Sequence, residues 1–134
     1  DIFALESAVS QIMEYTRENS MNTHAVPNYI IENTIQYISQ NLAGNLSLDA
    51  IAQELHISPS HLSRTFKKAT SCSLTEYINK ERIHKAKELL HNTDLLTYEI
   101  AEAVGYKDAT YFSSIFRKYE GLSPSEYKAK FFIQ

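Results

Sequence analysis

Apolar residues recur at intervals of three and four along most of the chain, which is the spacing of one face of an α-helix. The set at 2–16 predicts an amphipathic helix, and the loss of this period over 17–27 indicates a connector that ends at Pro27. The next helix is predicted over 28–43, with Asn28 as its N-cap and Gly44 as its stop. Further helices are predicted over 47–55, 58–70, 73–91, 97–104 and 108–119.

Capping residues stand where several of these helices are expected to begin. Ser58 is followed by proline, which suits the first position of a helix. The sequences SLTE at 73–76 and SPSE at 123–126 are two capping boxes. We interpret these serines and one aspartate as caps rather than as functional groups: Ser58, Ser73, Asp108 and Ser123.

The order of residues in 47–77 recurs in 97–127. At an offset of 49, Ile51 and Ala52 match Ile100 and Ala101, and beyond the turn the offset becomes 50. At that offset both capping boxes coincide, and the matched residues include Phe66 with Phe116, Lys68 with Lys118, and Tyr77 with Tyr127. The repeat indicates two copies of one unit, the alternative being the general similarity of amphipathic helices.

Each copy consists of a short helix, a tight turn and a second helix, which is the helix-turn-helix arrangement. In that arrangement the second helix enters the major groove of DNA, which is about 12 Å wide. The sequence therefore predicts an all-α fold with two helix-turn-helix subdomains, 47–70 and 97–119, joined by a long linker helix over 73–91. An extra N-terminal helix precedes them. The linker is roughly 28 Å long, against about 34 Å between successive major-groove segments on one face of DNA.

Composition narrows the classes of function. Hydrophobic residues make up 43% of the chain and charged residues 22%, and no apolar run nears the roughly 20 residues that span a bilayer. We therefore expect no transmembrane helix. The single cysteine, Cys72, favours a reducing compartment, so the protein is expected to be cytoplasmic. The 3 glycines are scattered, which argues against a phosphate-cradling loop. The histidines lack metal-ligand spacing and Cys72 has no partner for a disulfide within the chain, so no metal, cofactor or catalytic group is predicted.

The net charge of −3 hides a segregation of sign. Residues 64–87 carry seven basic and two acidic side chains, a local charge of +5, whereas 29–55 carries three acidic side chains and no Lys or Arg. Such a dipolar surface can present one face to a polyanion while the whole chain stays acidic. A solvated, charged helix face is the alternative.

The chain resembles the C-terminal DNA-binding domain of the AraC/XylS family of bacterial transcription regulators in three stretches: LDAIAQELHISPSHLSRTFKK, SLTEYINKERIHKAKELL and EIAEAVGYKDATYFSSIFRKYEGLSPSEYK. The resemblance covers roughly 30–130 and implies seven helices, a separate sensing domain in the full protein, and a role as a transcription activator. It places a DNA-binding domain at 28–134. Residues 1–27 fall outside the family pattern, and we expect this chain, which starts at Asp1, to be a fragment of a larger regulator.

The resemblance and the helix faces together assign the first copy's base-reading residues: Ser60, His61, Ser63 and Arg64. Arg64 is the main candidate, because a guanidinium can bond guanine O6 and N7 together, and a phosphate contact is its alternative. For His61, a bond to phosphate or to its own helix is an equal alternative. Lys67 and Lys68 are expected to fix the position of the helix on the DNA backbone.

The second copy has only short side chains at the equivalent positions: Ala109, Thr110, Ser113 and Ser114. These can touch thymine methyl groups or bond through water, but they cannot make a bidentate contact. We therefore expect weaker sequence reading by the second helix than by the first. Phosphate affinity is assigned there to Lys107, Arg117 and Lys118.

The predicted function is that of a sequence-specific regulator whose partner is double-stranded DNA. RNA polymerase is a candidate partner for the acidic stretch 29–55, although a solvated surface is the simpler explanation. A homodimer through residues 2–16, or through a missing N-terminal domain, is a further candidate. A protein-interaction module is disfavoured by the small polar outer faces, and an enzyme by the lack of a nucleophile–base or metal constellation.

Overall fold

A computed structural model describes residues 26–132, and every regular element in that range is an α-helix. The seven helices of the described range follow in chain order: α1 (Val26–Gln40), α2 (Leu48–Leu55), α3 (Pro59–Thr70), α4 (Leu74–Asn92), α5 (Thr97–Ala103), α6 (Ala109–Glu120) and α7 (Pro124–Phe132). This confirms the all-α prediction with its long central helix. The helix predicted over 2–16 and most of the connector over 17–27 lie outside the described residues.

Side-chain caps set the first residue of α2, α3, α4 and α6, and a fifth cap, at Ser123, begins α7. The hydroxyl oxygens of Ser47, Ser58 and Ser73 each accept a hydrogen bond at 3.1 Å from the backbone N–H three residues further along. The carboxylate of Asp108 caps α6 by accepting from the N–H of Thr110 at 2.8 Å. These bonds satisfy donors that the start of a helix leaves without an intrahelical partner, and they confirm three of the predicted caps.

The two predicted capping boxes close differently. At the start of α7 the Ser123 hydroxyl accepts from the Glu126 N–H at 3.1 Å, and the Glu126 carboxylate accepts from the Ser123 N–H at 3.0 Å. At the start of α4 the Glu76 carboxylate accepts instead from the Ser73 hydroxyl at 3.3 Å. Both glutamates lie in the first turn of a helix, where the helix dipole favours a negative charge.

The start of α1 differs from the sequence prediction. The helix begins at Val26, so Asn28 lies inside it and is not its N-cap. Pro27 belongs to the first turn rather than to the connector. Proline suits that turn because its missing N–H has no intrahelical acceptor there and its fixed φ is already helical.

The ends of α1 and α5 also fall earlier than predicted. α1 stops at Gln40 instead of residue 43, and the chain then turns through a bond from the Gly44 N–H to the Asn41 carbonyl at 2.8 Å. α5 stops at Ala103, one residue before its predicted end. In both places the glycine near the predicted stop lies in the turn that follows the helix.

The buried side chains form two clusters, one in each half of the described chain. We call α1–α3 the first unit and α5–α7 the second unit. The first unit packs on the first half of α4, and the second unit packs on its second half; the division falls between Ile78 and Ile83. Phe66 in the first cluster and Phe112 and Phe116 in the second are fully buried. α4 is therefore a rod that contributes to both cores.

Equivalent aromatic pairs occupy the two cores. The rings of Phe66 and Tyr77 meet edge to face with centroids 5.4 Å apart, and those of Phe116 and Tyr127 do the same at 5.5 Å. Phe66, Tyr77 and Phe116 are buried as predicted, whereas Tyr127 is only half-buried. The sequence repeat at an offset of 50 is thus matched by a repeat of side-chain packing.

The turns inside the two units are equivalent as well. His56 and Gly105 follow the first helix of each pair, and both have positive φ, at 59° and 104°. In each turn the N–H of the next residue bonds to the carbonyl five residues back, at 3.0 Å and 2.8 Å respectively. The one-residue slip in the repeat therefore falls after the turn has begun, where the chain absorbs it without disturbing either core.

Helix α4 has 19 residues, which is long enough to approach the thickness of a bilayer. Charged and polar side chains occur along its whole length, so its sequence is not that of a spanning helix. None of the helices in the described range combines the length and the apolar character that crossing a membrane requires.

Candidate nucleic-acid interface

Helix α3 exposes the polar side chains that the sequence assigns to base contacts. Ser60, His61, Ser63 and Arg64 are all exposed, whereas Phe66 on the inner side is 0% exposed. One side of the helix is therefore fixed by the first core and the other is open to solvent. The major groove of DNA admits one α-helix, and a helix that is anchored on one side and exposed on the other can enter it. We call α3 and α6 the reading helices.

The Arg64 side chain lies along its own helix. Its Nε donates to the Ser60 carbonyl oxygen at 3.2 Å. This bond uses one of the five N–H donors of the guanidinium and leaves the bidentate edge of the group for another acceptor. The contact with Ser60 orients a long side chain that would otherwise sample many rotamers.

Helix α6 brings its four candidate residues to the surface unequally. Thr110 and Ser114 are exposed, whereas Ala109 and Ser113 are half-buried, and Ala109 packs against the second core. The Ser114 hydroxyl donates to the Tyr111 carbonyl at 3.0 Å, so its own proton is already engaged. The short side chains offer few polar atoms to a base edge, as the sequence analysis expects.

The lysines assigned to phosphate contacts are exposed: Lys67, Lys68, Lys107 and Lys118. Lys67 and Lys68 lie in the last turn of α3, and Lys118 lies at the equivalent point of α6. Cations at these positions also stabilise the helices, because the C-terminal end of a helix carries partial negative charge. All four lysines are accessible to a DNA backbone, and the helix dipole gives Lys67, Lys68 and Lys118 a second role.

Arg117, also assigned to phosphate, has a partner that the sequence did not predict. Its Nη2 lies 2.7 Å from Oε1 of Glu126, and both side chains are exposed. The same carboxylate closes the capping box of α7, so Glu126 serves two neighbours. The Ser123 N–H and hydroxyl, followed by Arg117, hold the pKa of Glu126 below its usual value, so the carboxylate is charged at neutral pH. A phosphate would have to compete with Glu126 for Arg117.

The stretch 64–87 owes part of its positive charge to Lys87 and Arg82, which are not fully exposed to solvent. Lys87 is 4% exposed and its Nζ lies 3.2 Å from the Glu120 carboxylate at the end of α6. Arg82 is half-buried and donates to two backbone carbonyls of the α1–α2 loop. The local charge of +5 therefore overstates the basic face, since these two cations hold helices and loops together.

Tyr111 lies beside the candidate residues of α6 and received no role from the sequence. Its side chain is 51% exposed, and its ring meets that of Tyr106 edge to face at 5.9 Å. Exposed tyrosine is an amphipathic group suited to a contact that is partly apolar and partly hydrogen-bonded. The helical pattern gave no sign of it, because an aromatic residue one position from Phe112 is as easily assigned to the core.

Two features of the described residues bear on metal binding and on thiol chemistry. No three His, Cys, Asp or Glu side chains in this part of the chain come together as a metal site. Cys72 is half-buried, and burial raises the pKa of its thiol, which keeps it protonated and poorly nucleophilic. The exposed polar groups of α3 and α6 form the candidate interface.

A family model described as a helix-turn-helix domain matches residues 51–130. The match begins within α2 and ends within α7. It therefore includes both reading helices and the whole of α4.

Two curated proteins illustrate the similarity in sequence. The arabinose operon regulatory protein of Escherichia coli (strain K12) is 34% identical over 126 residues, which are 93% of this chain and 42% of that protein. The bifunctional transcriptional activator/DNA repair enzyme AdaA of Bacillus subtilis (strain 168) is 39% identical over 93 residues, which are 69% of this chain and 44% of that protein. The chain spans less than half the length of these relatives.

Solved structures show the same fold. The C-terminal domain of AraT, a response regulator from Geobacillus stearothermophilus, is similar with a TM-score of 0.76 and 39% identity, over 78% of this chain and 88% of that one. The DNA-binding domain of AdpA, solved in complex with a target DNA, is similar with a TM-score of 0.71 over 76% of this chain and 91% of that one. At 22% identity the second likeness is one of fold.

Proposed function

Since the chain belongs to the AraC-type family of helix-turn-helix DNA-binding transcription regulators, we propose that it recognises a specific duplex sequence. In this proposal α3 and α6 enter successive segments of the major groove on one face of the duplex. The observation that carries the proposal is the repeat of one unit on a shared rod. Each reading helix is anchored by its own core and exposes a polar side. Helix α4 is roughly 28 Å long, which is close to the separation of about 34 Å between successive major-groove segments. Because the helix is slightly shorter than this separation, we expect either that the DNA bends or that one of the two helices enters its groove less deeply.

Within this proposal the two reading helices divide the work. Arg64 reads a guanine, with Ser60, His61 and Ser63 around it, because α3 carries long polar side chains at its exposed side. α6 contributes Thr110 and Ser114 as weaker readers, together with Ala109 and Ser113 at their half-buried positions. The basic groups at the ends of the helices fix the position on phosphates: Lys67, Lys68, Lys107, Arg117 and Lys118.

We further propose that the chain is the DNA-binding part of a longer activator. The matched segment makes up only 42% of the arabinose operon regulatory protein and 44% of AdaA, and AdaA is named a transcriptional activator. RNA polymerase is then a partner for the acidic stretch 29–55, and residues 2–16 or a further domain would support a homodimer. A catalytic role has no support from the described site, so the proposal assigns none to this chain.

The experiment that tests the proposal is selection of duplexes from a random DNA pool, followed by binding measurements over a range of salt. We expect one enriched motif with two separated half-sites. Five phosphate contacts imply a slope of about −4.5 for the logarithm of affinity against the logarithm of salt concentration. Affinity should then fall by about two to three orders of magnitude between 50 and 200 mM salt.

The double variant Lys67→Gln/Lys68→Gln serves as the matched control, since both lysines are exposed and outside the cores. It should weaken binding to all duplexes alike and reduce the salt slope by about two. Failure to enrich any motif, or an affinity that hardly changes with salt, would contradict the proposed function.

A further inference from the structure

Arg82 lies on α4 where the two halves of the molecule meet. It follows Ile78, the last buried residue of the first cluster, and precedes Ile83, the first of the second. Its Nε donates to the Leu42 carbonyl at 3.0 Å, and its Nη2 donates to the Gly44 carbonyl at 3.0 Å. One side chain of α4 thereby grips the loop between α1 and α2 at two points.

The other side of the same guanidinium touches the second unit. The Arg82 Cζ lies 5.3 Å from the centre of the Tyr106 ring, in the range of a cation–π contact. The Tyr106 hydroxyl donates at 2.7 Å to Oδ1 of Asn79, which lies one turn before Arg82 on α4. Asn79 and Arg82 are three residues apart and therefore on the same side of the helix. Together they fix the α5–α6 turn against the rod.

The α5–α6 turn lies so close to this contact that no side chain fits at Gly105. A Cβ placed on Gly105 would lie 2.7 Å from the Leu42 carbonyl oxygen and 2.9 Å from Arg82 Cζ. Both distances are shorter than real contacts of such an atom. Glycine at this position thus permits the α5–α6 turn to touch the α1–α2 loop directly, which brings the first and second units into contact beside α4.

The first unit shows that the turn itself does not require this glycine. His56 occupies the position equivalent to Gly105, with positive φ and the same hydrogen bond after it. The repeat therefore departs from its own pattern at the point where the second turn meets Arg82. We call Arg82, Asn79, Tyr106, Gly105 and the two carbonyls of the α1–α2 loop the joint.

We propose that Arg82 is a positioning residue that sets the angle between the two reading helices and so fixes the spacing of the half-sites the chain selects. The inference rests on the proposed function for its consequence in DNA, but the orientation itself is a property of the unbound protein. Each core packs on only one half of α4. Helix α4 alone therefore leaves the orientation of the two units relative to each other free to vary. The joint ties the second unit's turn to the first unit's loop through one guanidinium.

A distance measurement without DNA tests the orientation directly. Glu54 and Ala103 are exposed at equivalent points of α2 and α5, and spin labels at Glu54→Cys and Ala103→Cys, in a Cys72→Ser background, report the separation of the units. We expect one narrow distance distribution for the parent. Arg82→Met should broaden it at least about twofold, and Arg82→Lys should give an intermediate width, because one ammonium cannot span two carbonyls as a guanidinium does. Lys85→Met, on the exposed side of the same helix, should leave the distribution unchanged.

An unchanged narrow distribution in Arg82→Met would overturn the proposal. If that variant loses cooperative unfolding, Tyr106→Phe takes its place, because it removes only the 2.7 Å bond to Asn79 and keeps the ring. A broader distance distribution in Tyr106→Phe than in the parent supports the joint. A distribution as narrow as that of the parent counts against it.

Binding to duplexes that the parent selects tests the consequence for DNA. One base pair inserted between the half-sites turns one half-site by roughly 34° relative to the other, and we expect the parent to lose at least about tenfold in affinity. Arg82→Met should lose only about two- to threefold on the same insertion while keeping the parent affinity for an isolated half-site. Full retention of the spacing penalty in Arg82→Met contradicts the joint. A parent that binds no selected duplex contradicts the proposed function, while the label distances still decide the role of Arg82.

Discussion

Arg117 and Glu126 form an ion pair at 2.7 Å across the turn between α6 and α7. The residues that match them at the offset of 50 are Lys67 on α3 and Glu76 on α4, and among the described ion pairs these two form none. The two copies of the repeat thus carry the same charges at the same positions and use them differently. In the second unit a cation assigned to DNA is held by a carboxylate of its own unit.

Glu126→Gln should therefore increase the affinity for DNA. The amide oxygen can still accept from the Ser123 N–H, while the charge that holds Arg117 is gone. Because the pair is exposed, the gain should be modest, about two- to fivefold at low salt. Glu76→Gln is the matched control and removes the same charge without an ion pair. Equal gains in the two variants would show a general effect of net charge and no competition for Arg117.

Lys87 and Glu120 form a buried pair that should matter for stability rather than for binding. Lys87→Met removes the cation that lies 3.2 Å from the Glu120 carboxylate, which is 13% exposed. Breaking a buried ion pair from one side costs about 3 kcal/mol, and urea unfolding should show this as a lower midpoint with an unchanged slope. Lys85→Met, an exposed change two residues away, should alter the free energy of unfolding by less than about 0.5 kcal/mol. If Lys85→Met lowered the free energy of unfolding as much as Lys87→Met does, the burial of the ion pair could not explain the loss of stability.

What the sequence predicts well is local. The caps at Ser58, Ser73 and Asp108 bond to backbone groups two or three residues away, so the pattern of neighbours contains all the information they need. The buried phenylalanines follow from helical spacing in the same way. The N-cap prediction at Asn28 is wrong because proline suits a first helical turn as well as the end of a connector, and the local sequence does not distinguish the two.

What the sequence does not show is the partner of a charge across the fold. Arg82 and Lys87 have the residue types of a solvated surface, and simple counting places both in the basic stretch. Their acceptors lie 38 to 40 residues away for Arg82, and on α6 for Lys87. Only the packing of the two units on α4 brings these groups together, and no period or local motif encodes it. The pairing of Arg117 with a residue nine positions later was missed for the same reason.

Gly105→Ala should destabilise the fold far more than a change at the equivalent His56. A Cβ at Gly105 meets the Leu42 carbonyl at 2.7 Å, and its φ of 104° is one that alanine rarely adopts. Strain of this kind costs about 2–3 kcal/mol. His56→Gly relieves a left-handed φ and raises the entropy of the unfolded chain, so it should change the free energy of unfolding by less than about 1 kcal/mol. Urea unfolding of both variants measures the difference, and a loss in Gly105→Ala no larger than that in His56→Gly would contradict the selection of glycine by the contact with Leu42.

Glu81→Gln should stabilise the protein at neutral pH and leave it unchanged in acid. Burial raises the pKa of the Glu81 carboxyl, although His84 and Tyr77 act in the opposite direction. A group whose pKa is raised on folding favours the folded state below its unfolded pKa, near 4.3, and loses that contribution as the pH rises through its folded pKa. The glutamine does not ionise, so its advantage should grow over this window and then stay constant. Thermal unfolding from pH 3.5 to 8 measures it, and a constant difference at every pH would exclude ionisation as its origin.

The reading helices should respond unequally to truncation. Arg64→Ala removes the bidentate donor of α3 and should weaken binding to a selected duplex by about 1–3 kcal/mol, while relaxing the preference at one base pair. The double variant Thr110→Ala/Ser114→Ala removes only short hydroxyls, one of which already donates to its own helix, so we expect a loss below about threefold. Lys68→Gln is the control for phosphate contact and should weaken all duplexes alike while reducing the salt slope by about one. Competition binding with single-base variants of the selected duplex measures the three cases. A larger change in base preference from the α6 pair than from Arg64 would reverse the assignment of the stronger reader.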